Sequence, residues 1–161
     1  MKFIFNILLY CIIFSQGINA QFSNYMIFPS NFNQIEPSIV RHPLNPQILF
    51  ASAYTIYVSY RSEGVYVSTN GGNSWTGVDS VRGTPTQNHG GDPGPIIDKN
   101  GTFLLTHQGG ITTGMFCDYS TNSGNTWTAS LPPIATGDQD KGSPQTDDAS
   151  ASPFYGRSYL A

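Results

Sequence analysis

Short apolar runs alternate along the chain with clusters of Gly, Pro, Asn and Ser, and this pattern predicts short β-strands joined by turns. Residues 63–67 and 114–119 are typical, since each is a mostly apolar run that leads into a polar bend containing glycine. No segment shows a sustained helical period of apolar residues. The sequence therefore predicts a turn-rich, all-β fold.

The predicted strands fall into successive groups with the same internal order. The predicted strands are at 36–40, 47–58, 63–67 and 75–81, then at 92–98, 102–106, 114–119 and 127–131, then at 141–147 and from 154 onward. Each group opens on one strand, turns, and ends on a strand that returns from a polar bend. This order predicts three units at 36–81, 92–131 and 140–161, preceded by a leader at 21–35.

One stretch of eight residues occurs twice. Residues 68–75 read Ser-Thr-Asn-Gly-Gly-Asn-Ser-Trp, and residues 120–127 read Ser-Thr-Asn-Ser-Gly-Asn-Thr-Trp, at a constant offset of 52 residues. A period of roughly 40–50 residues suits one β-propeller blade, which needs four short strands and their turns. One copy would be explained by an ordinary hairpin. Two copies at a fixed spacing favour a structural repeat.

The residues of this stretch suit a tight turn. Ser and Asn side chains can bond to nearby backbone groups, and Gly can adopt a positive φ. The Trp that ends each copy can bury a large ring against the sheet. The predicted structural positions are Ser68, Asn70, Gly72, Trp75, Ser120, Asn122, Gly124 and Trp127.

The repeated stretch resembles the Asp-box, or BNR repeat, Ser-x-Asp-x-Gly-x-Thr-Trp, of sialidases and related β-propellers. The Asp of that family is replaced by Asn70 and Asn122 here, and Asn keeps a side-chain acceptor for the turn. Residues 36–49 and 140–157 also resemble segments of secreted bacterial BNR proteins. The resemblance covers about residues 33–161 and implies a sialidase-type β-propeller with about two and a half blades in this chain. In that family the box is a folding element away from the active site.

The first twenty residues have the features of a secretory signal peptide. Lys2 precedes a largely apolar run at 4–14, and Ile18-Asn19-Ala20 provides a cleavage site before Gln21. The apolar run is short for a membrane span, so none is expected after cleavage. The sequence therefore predicts a secreted or cell-surface protein.

Charge and length limit the function further. Without Lys2 the seven basic residues become six, against ten acidic residues, and the formal charge is −4. This balance excludes a nucleic-acid-binding surface, which needs clustered Lys and Arg. Cys117 is the only cysteine after residue 20, and we expect it to be a buried apolar side chain. About two and a half units do not close a propeller, so we expect the chain to be the N-terminal part of a longer protein.

Three charged residues are candidates for the catalytic site because they lie at the ends of predicted first strands. These are Arg41, Asp92 and Asp140. The resemblance to sialidases implies an Arg that binds a sugar carboxylate, and the stretch 40–43, Val-Arg-His-Pro, shares the Arg and Pro of the family motif Phe/Tyr-Arg-Ile-Pro. Arg suits a carboxylate because it offers parallel donors. The alternatives are a surface Arg and ordinary turn chemistry for the two Asp residues.

The remaining polar residues predict no cofactor and no metal. His89 precedes Asp92 by three residues, but a zinc site needs three or four ligands, and His42 and His107 have no partner nearby in the sequence. No arrangement of Ser, His and Asp typical of a hydrolase and no phosphate-binding loop is present. Asn100-Gly101-Thr102 matches a glycosylation sequon at a predicted turn.

Two functional hypotheses follow. The first is a secreted, sialidase-like Asp-box propeller, a possible exo-glycosidase that acts on extracellular glycans. The second is a non-catalytic propeller that binds glycans or surface proteins, for example in adhesion. The sequence leaves open whether the protein is an enzyme, because fold alone does not determine function.

Overall fold

The computed structural model describes residues 24–57, 60–81, 89–128, 131 and 134–161. These residues form antiparallel strands and no helix, so the predicted all-β class is confirmed. The strands are β1 (Asn33–Arg41), β2 (Leu49–Ile56), β3 (Arg61–Ser68), β4 (Thr76–Val78), β5 (His89–Ile97), β6 (Phe103–Gly109), β7 (Met115–Ser120), β8 (Pro144–Thr146) and β9 (Ser158–Leu160). The predicted signal peptide at 1–20 lies outside the described residues.

Three sheets follow one another along the chain. The first sheet has the order β1-β2-β3-β4, the second β5-β6-β7, and the third β8-β9. All neighbouring strands are antiparallel. Beyond β7, the amides of Thr128, Leu131 and Ile134 donate to backbone oxygens of β7 residues at 3.0, 2.9 and 2.6 Å. This segment therefore occupies the place beside β7 that β4 occupies beside β3.

The first strands of the two larger sheets share an interruption at an acidic residue followed by proline. The register of β1 shifts between Ile35 and Ser38, around Glu36-Pro37. That of β5 shifts between Gly91 and Gly94, around Asp92-Pro93. Glu36 and Asp92 both have a backbone φ of 54°, a left-handed conformation that residues other than glycine rarely adopt. Because proline has no N–H for the ladder, both strands bulge there.

The first box, residues 68–75, is a turn held by side chains. Ser68 Oγ accepts from the amide of Gly72 at 2.8 Å and donates to Asn70 Oδ1 at 3.0 Å. Asn70 Oδ1 also accepts from the amide of Ser74 at 2.9 Å, and the Asn70 amide nitrogen donates to Ser74 Oγ at 2.8 Å. Trp75 Nε1 donates to the Gly72 carbonyl at 3.1 Å.

The second box, residues 120–127, has the same bonds. Ser120 Oγ accepts from the amide of Gly124 at 2.9 Å and donates to Asn122 Oδ1 at 2.9 Å. Asn122 bonds to the amide and hydroxyl of Thr126 at 2.9 Å each, and Trp127 Nε1 donates to the Gly124 carbonyl at 3.0 Å. Asn therefore accepts through its oxygen and donates through its nitrogen in both turns, without carrying a charge.

The main hydrophobic core lies between the first and second sheets. Phe50 of β2 stacks on Phe103 of β6 with ring centroids 5.0 Å apart, and Trp127 lies 5.5 Å from Phe50. The buried residues of this core are Phe50, Val65, Val67, Val81, Ile97, Phe103, Leu105 and Trp127. The Trp of the second box therefore packs between two sheets rather than on its own sheet alone.

The other face of the first sheet is covered by the leader. Phe28 packs on Tyr66 with ring centroids 4.9 Å apart, and Trp75 packs against the same buried group. Asp79 accepts hydrogen bonds from Ser30 Oγ at 2.8 Å and from Tyr66 at 3.0 Å. The leader is thus fixed to the first sheet by both apolar and polar contacts.

The two boxes differ at one position where backbone conformation matters. Gly71 has φ 68°, and its counterpart Ser123 has φ 56°. A left-handed conformation costs a non-glycine residue about 1–2 kcal/mol, and glycine loses about 0.5–1 kcal/mol of chain entropy. We expect Ser123→Gly to stabilise the protein by about 0.5–1 kcal/mol in urea unfolding. Gly71→Ser is the matched control and should destabilise the protein. If both substitutions changed the unfolding free energy in the same direction, this explanation would be contradicted.

The two box tryptophans should differ in their contribution to stability. Trp127 is buried, with 9% of its surface exposed, between the two larger sheets, whereas Trp75 is only partly buried. Trp127→Ala should therefore cost about 3–5 kcal/mol of unfolding free energy, and Trp75→Ala should cost less than that range. Urea titration of both variants measures the difference, and a larger loss for Trp75→Ala would refute the assignment of the main core.

Candidate functional site

A pocket of about 230 Å³ lies where the opening strands of the three sheets meet. Its walls are residues 38–41 of β1, residues 93–97 of β5 and residues 141–146, which include β8. We call it the first-strand pocket. Three successive sheets therefore contribute residues to one pocket.

A group of acidic residues lies beside the pocket, next to its wall. Asp92, partly buried, lies beside Pro93 of the wall, and its amide donates to Glu36 Oε2 at 2.8 Å. Burial, followed by the negative charge of Glu36, raises the pKa of Asp92; Lys141 opposes the rise and Asp140 adds to it. The structure thus places Asp92 and Asp140 close enough to influence each other, together with Glu36 and Lys141.

Arg41 lines the pocket itself, at the last position of β1, where its backbone pairs with Leu49. The charged groups that act on the pKa of Asp92 are Glu36, Glu63, Asp140 and Lys141, and Arg41 is not one of them. The three residues predicted as one catalytic set are therefore divided: the two aspartates lie together and the arginine lies apart from them.

A second polar group is fully enclosed between the sheets. Glu63 of β3, His89 of β5, His107 of β6 and Asp118 of β7 are each at most 1% exposed. We call these four residues the buried cluster. The imidazole rings of His89 and His107 stack with centroids 4.1 Å apart and an angle of 10° between planes. Glu63 comes from the first sheet and the other three residues from the second, so the cluster crosses the core.

The hydrogen bonds of the cluster define where its protons lie. Glu63 Oε1 accepts from the amide of Gly91 at 3.1 Å, and Glu63 Oε2 contacts His89 Nδ1. His107 Nδ1 lies 2.7 Å from the Gln108 carbonyl, which only accepts, so Nδ1 donates. His107 Nε2 lies 3.1 Å from Asp118 Oδ2. A proton must lie between these two atoms, since a lone pair would otherwise face a carboxylate oxygen.

His107 is a cation over a wider pH range than an ordinary histidine. Burial is the largest influence and lowers its pKa, but the hydrogen bond to Asp118 and the negative charges of Glu63 and Asp118 outweigh it. The net result is a raised pKa for His107. Among the described residues, His89 Nε2 and Asp118 Oδ1 have no hydrogen-bond partner.

The stacked rings decide whether the cluster suits a metal ion. Three possible ligand atoms lie within 4.8 Å of one another, one each from Glu63, His89 and His107. Zinc bonds to an imidazole nitrogen at about 2.0–2.1 Å, along the lone pair in the ring plane. An ion shared by two nearly parallel rings 4.1 Å apart would lie far outside both planes. The arrangement therefore does not suit a cation held by both histidines.

Sequence reasoning missed most of this cluster. His107 has no charged neighbour in the sequence, yet the pairing of β6 with β7 brings it to Asp118, eleven residues away. The available signal was a single acidic residue within each apolar strand that leads into a box, Glu63 in the first and Asp118 in the second. A charge at such a position is rarely buried without a partner.

Comparison with known protein families, characterised proteins and solved structures gives no match for this chain. Within the described ranges, no helix is long and apolar enough to cross a membrane. The functional proposal therefore rests on the geometry of the chain itself and on the resemblance of its boxes.

Removing the Glu63 carboxylate should strongly destabilise the protein. Glu63→Ala leaves the Gly91 amide and His89 Nδ1 without their acceptor inside the core. Loss of one partner of a buried charged pair costs about 3–5 kcal/mol. Glu36→Ala is the control, because Glu36 is only partly buried and accepts one backbone bond, for which we expect about 1 kcal/mol. Urea unfolding measures the loss of unfolding free energy in both variants. An equal loss would show that Glu63 contributes no more to stability than a partly buried carboxylate with one backbone bond.

Proposed function

We propose that the chain supplies blades of a secreted, sialidase-like Asp-box β-propeller that acts on extracellular glycans. The observation that carries the proposal is the first-strand pocket, because three successive sheets contribute their opening strands to one polar concavity. Opening strands that face a common centre are what a propeller requires. The matching bonds of the two boxes support the same architecture.

The acidic group beside the pocket supports glycoside hydrolysis as the reaction. Hydrolysis of most glycosides uses one carboxylic acid to protonate the leaving oxygen and one carboxylate to activate water or to attack. Asp92, with its raised pKa, suits the acid, and Glu36 or Asp140 suits the carboxylate. Perturbed carboxyl groups in a cleft are typical of functional sites. Neutral sugar hydroxyls can donate to such a group, whereas an acidic sugar would be repelled from it.

One observation favours glycan binding without hydrolysis. Glu36 Oε2 already accepts the amide of Asp92 at 2.8 Å, and Asp140 Oδ1 accepts that of Lys141 at 2.9 Å. Both carboxylates therefore contribute to local structure, and they would then bind sugar hydroxyls rather than take part in a reaction. In that form Arg41, which lines the pocket, is the contact for an anionic substituent on the glycan.

Aryl glycosides of neutral sugars and of sialic acid test the reaction. If Asp92 is the general acid, Asp92→Asn should lower release of the aryl group at least about a hundredfold, which is the usual contribution of acid catalysis. Asp138→Asn is the control, since Asp138 is exposed and is not among the charged groups that act on Asp92. Activity carried by protonated Asp92 should persist to a higher pH than an ordinary aspartic acid would allow, because its pKa is raised.

Calorimetric titration with the same sugars separates the two forms of the proposal. A binding propeller should bind a glycan without hydrolysing it. Arg41→Ala should then weaken the binding of anionic glycans, whereas Arg157→Ala should leave it unchanged. Hydrolysis unaffected by Asp92→Asn would remove Asp92 from the reaction. Neither binding nor hydrolysis of any glycan would reject the proposed function as a whole.

A further inference from the structure

We propose that the buried cluster is a proton-dependent joint between the first and second sheets. The joint is closed while a proton lies between His107 Nε2 and Asp118 Oδ2, and it loosens when that proton leaves. The proposal concerns the core and not the first-strand pocket, so it stands independently of the proposed function.

The cluster joins the sheets through one side chain. Glu63 is the only member on the first sheet, and it reaches the second sheet through Gly91 and His89. Its contact with His89 Nδ1 requires a proton on that nitrogen or on the carboxyl group. Any event that withdraws this proton weakens the connection between the sheets.

His89 couples this connection to His107. When His107 loses its proton, Asp118 Oδ2 faces a lone pair at 3.1 Å inside the core. The other imidazole nitrogen near that oxygen is His89 Nε2, which has no partner and lies 3.8 Å away. A neutral imidazole has one N–H, so if His89 donates to Asp118 through Nε2 it no longer donates to Glu63 through Nδ1. One proton released to solvent therefore loosens the contact with Glu63.

The sign of the effect follows from the raised pKa of His107. A histidine whose pKa is higher when folded stabilises the fold below its ordinary value of about 6.5, and this stabilisation is lost as pH rises through the folded pKa. Two other titratable side chains of the core, Cys117 and Tyr54, do not interfere in this range. Burial raises the pKa of Cys117 to about 11 and also raises that of Tyr54.

The remaining charged groups near the joint lie at its edge. They are Glu36 of β1 and Asp92 of β5, which are partly buried beside Gly91, and the exposed Arg61 of β3, which lies over the Tyr54 ring. Asp92 has a raised pKa, but it titrates from the lower value of an aspartic acid. A pH dependence between about 6.5 and 9 thus reports His107.

Hydrogen exchange of the Gly91 amide measures the joint directly, because its acceptor is Glu63. The Gly72 amide, which donates to Ser68 Oγ at 2.8 Å within the first box, is the internal control. In the full chain, exchange of Gly91 relative to Gly72 should rise between pH 6.5 and 9, by up to about tenfold per pH unit for one proton. A constant ratio across this range would overturn the proposal.

Three variants identify the proton. Asp118→Asn supplies an N–H to neutral His107, so the pH dependence should disappear while the fold is kept. His107→Gln should also remove it, whereas His42→Gln, in the turn after β1, should retain it. Retention of the pH dependence in a folded Asp118→Asn protein would refute the mechanism. So would a stoichiometric divalent metal in the purified protein whose removal by EDTA abolishes the pH dependence.

Discussion

The carboxylate of Glu63 is the contact on which the arrangement of the two larger sheets depends. Apolar packing between Phe50, Phe103 and Trp127 brings the sheets together, but such packing is not directional. Glu63 bonds to the backbone of Gly91 and to His89, and these bonds have a defined geometry. Burying an acidic side chain is costly without partners, so each alternative arrangement of the sheets is penalised.

Within each sheet, order depends on different interactions. The boxes close the β3–β4 turn and the turn after β7 with short bonds among neighbouring residues. Asn70 and Asn122 hold these turns without a charge, because the oxygen accepts from the backbone and the nitrogen donates to a hydroxyl. Local bonds thus build the sheets, and long-range bonds between polar side chains join them.

The sequence allowed the all-β class to be predicted, and the predicted strands at 36–40 and 63–67 lie inside β1 and β3. These features depend on local patterns of apolar residues and turn residues. The buried cluster could not be predicted in the same way. His107 and Asp118 meet through strand pairing, and Glu63 and His89 meet through the packing of two sheets. Neither relation is visible in a single sequence without knowing the register.

The candidate site shows the same limit. Arg41, Asp92 and Asp140 were selected because each lies near the end of a predicted first strand, and all three are in or beside the first-strand pocket. The sequence did not indicate that Arg41 lines this pocket while the two aspartates lie beside it. That difference depends on the bulge at each acidic residue and on the position of Arg41 five residues further along β1.

The neutral turn has a consequence for how such a chain can grow. Each box closes its hairpin with Asn, so a further copy of the unit adds no ionised side chain at that turn. Only 11% of the residues are charged, whereas acidic residues at both turns would add like charges to an already acidic chain. Turns closed by Asn can therefore be repeated along a chain without adding electrostatic repulsion.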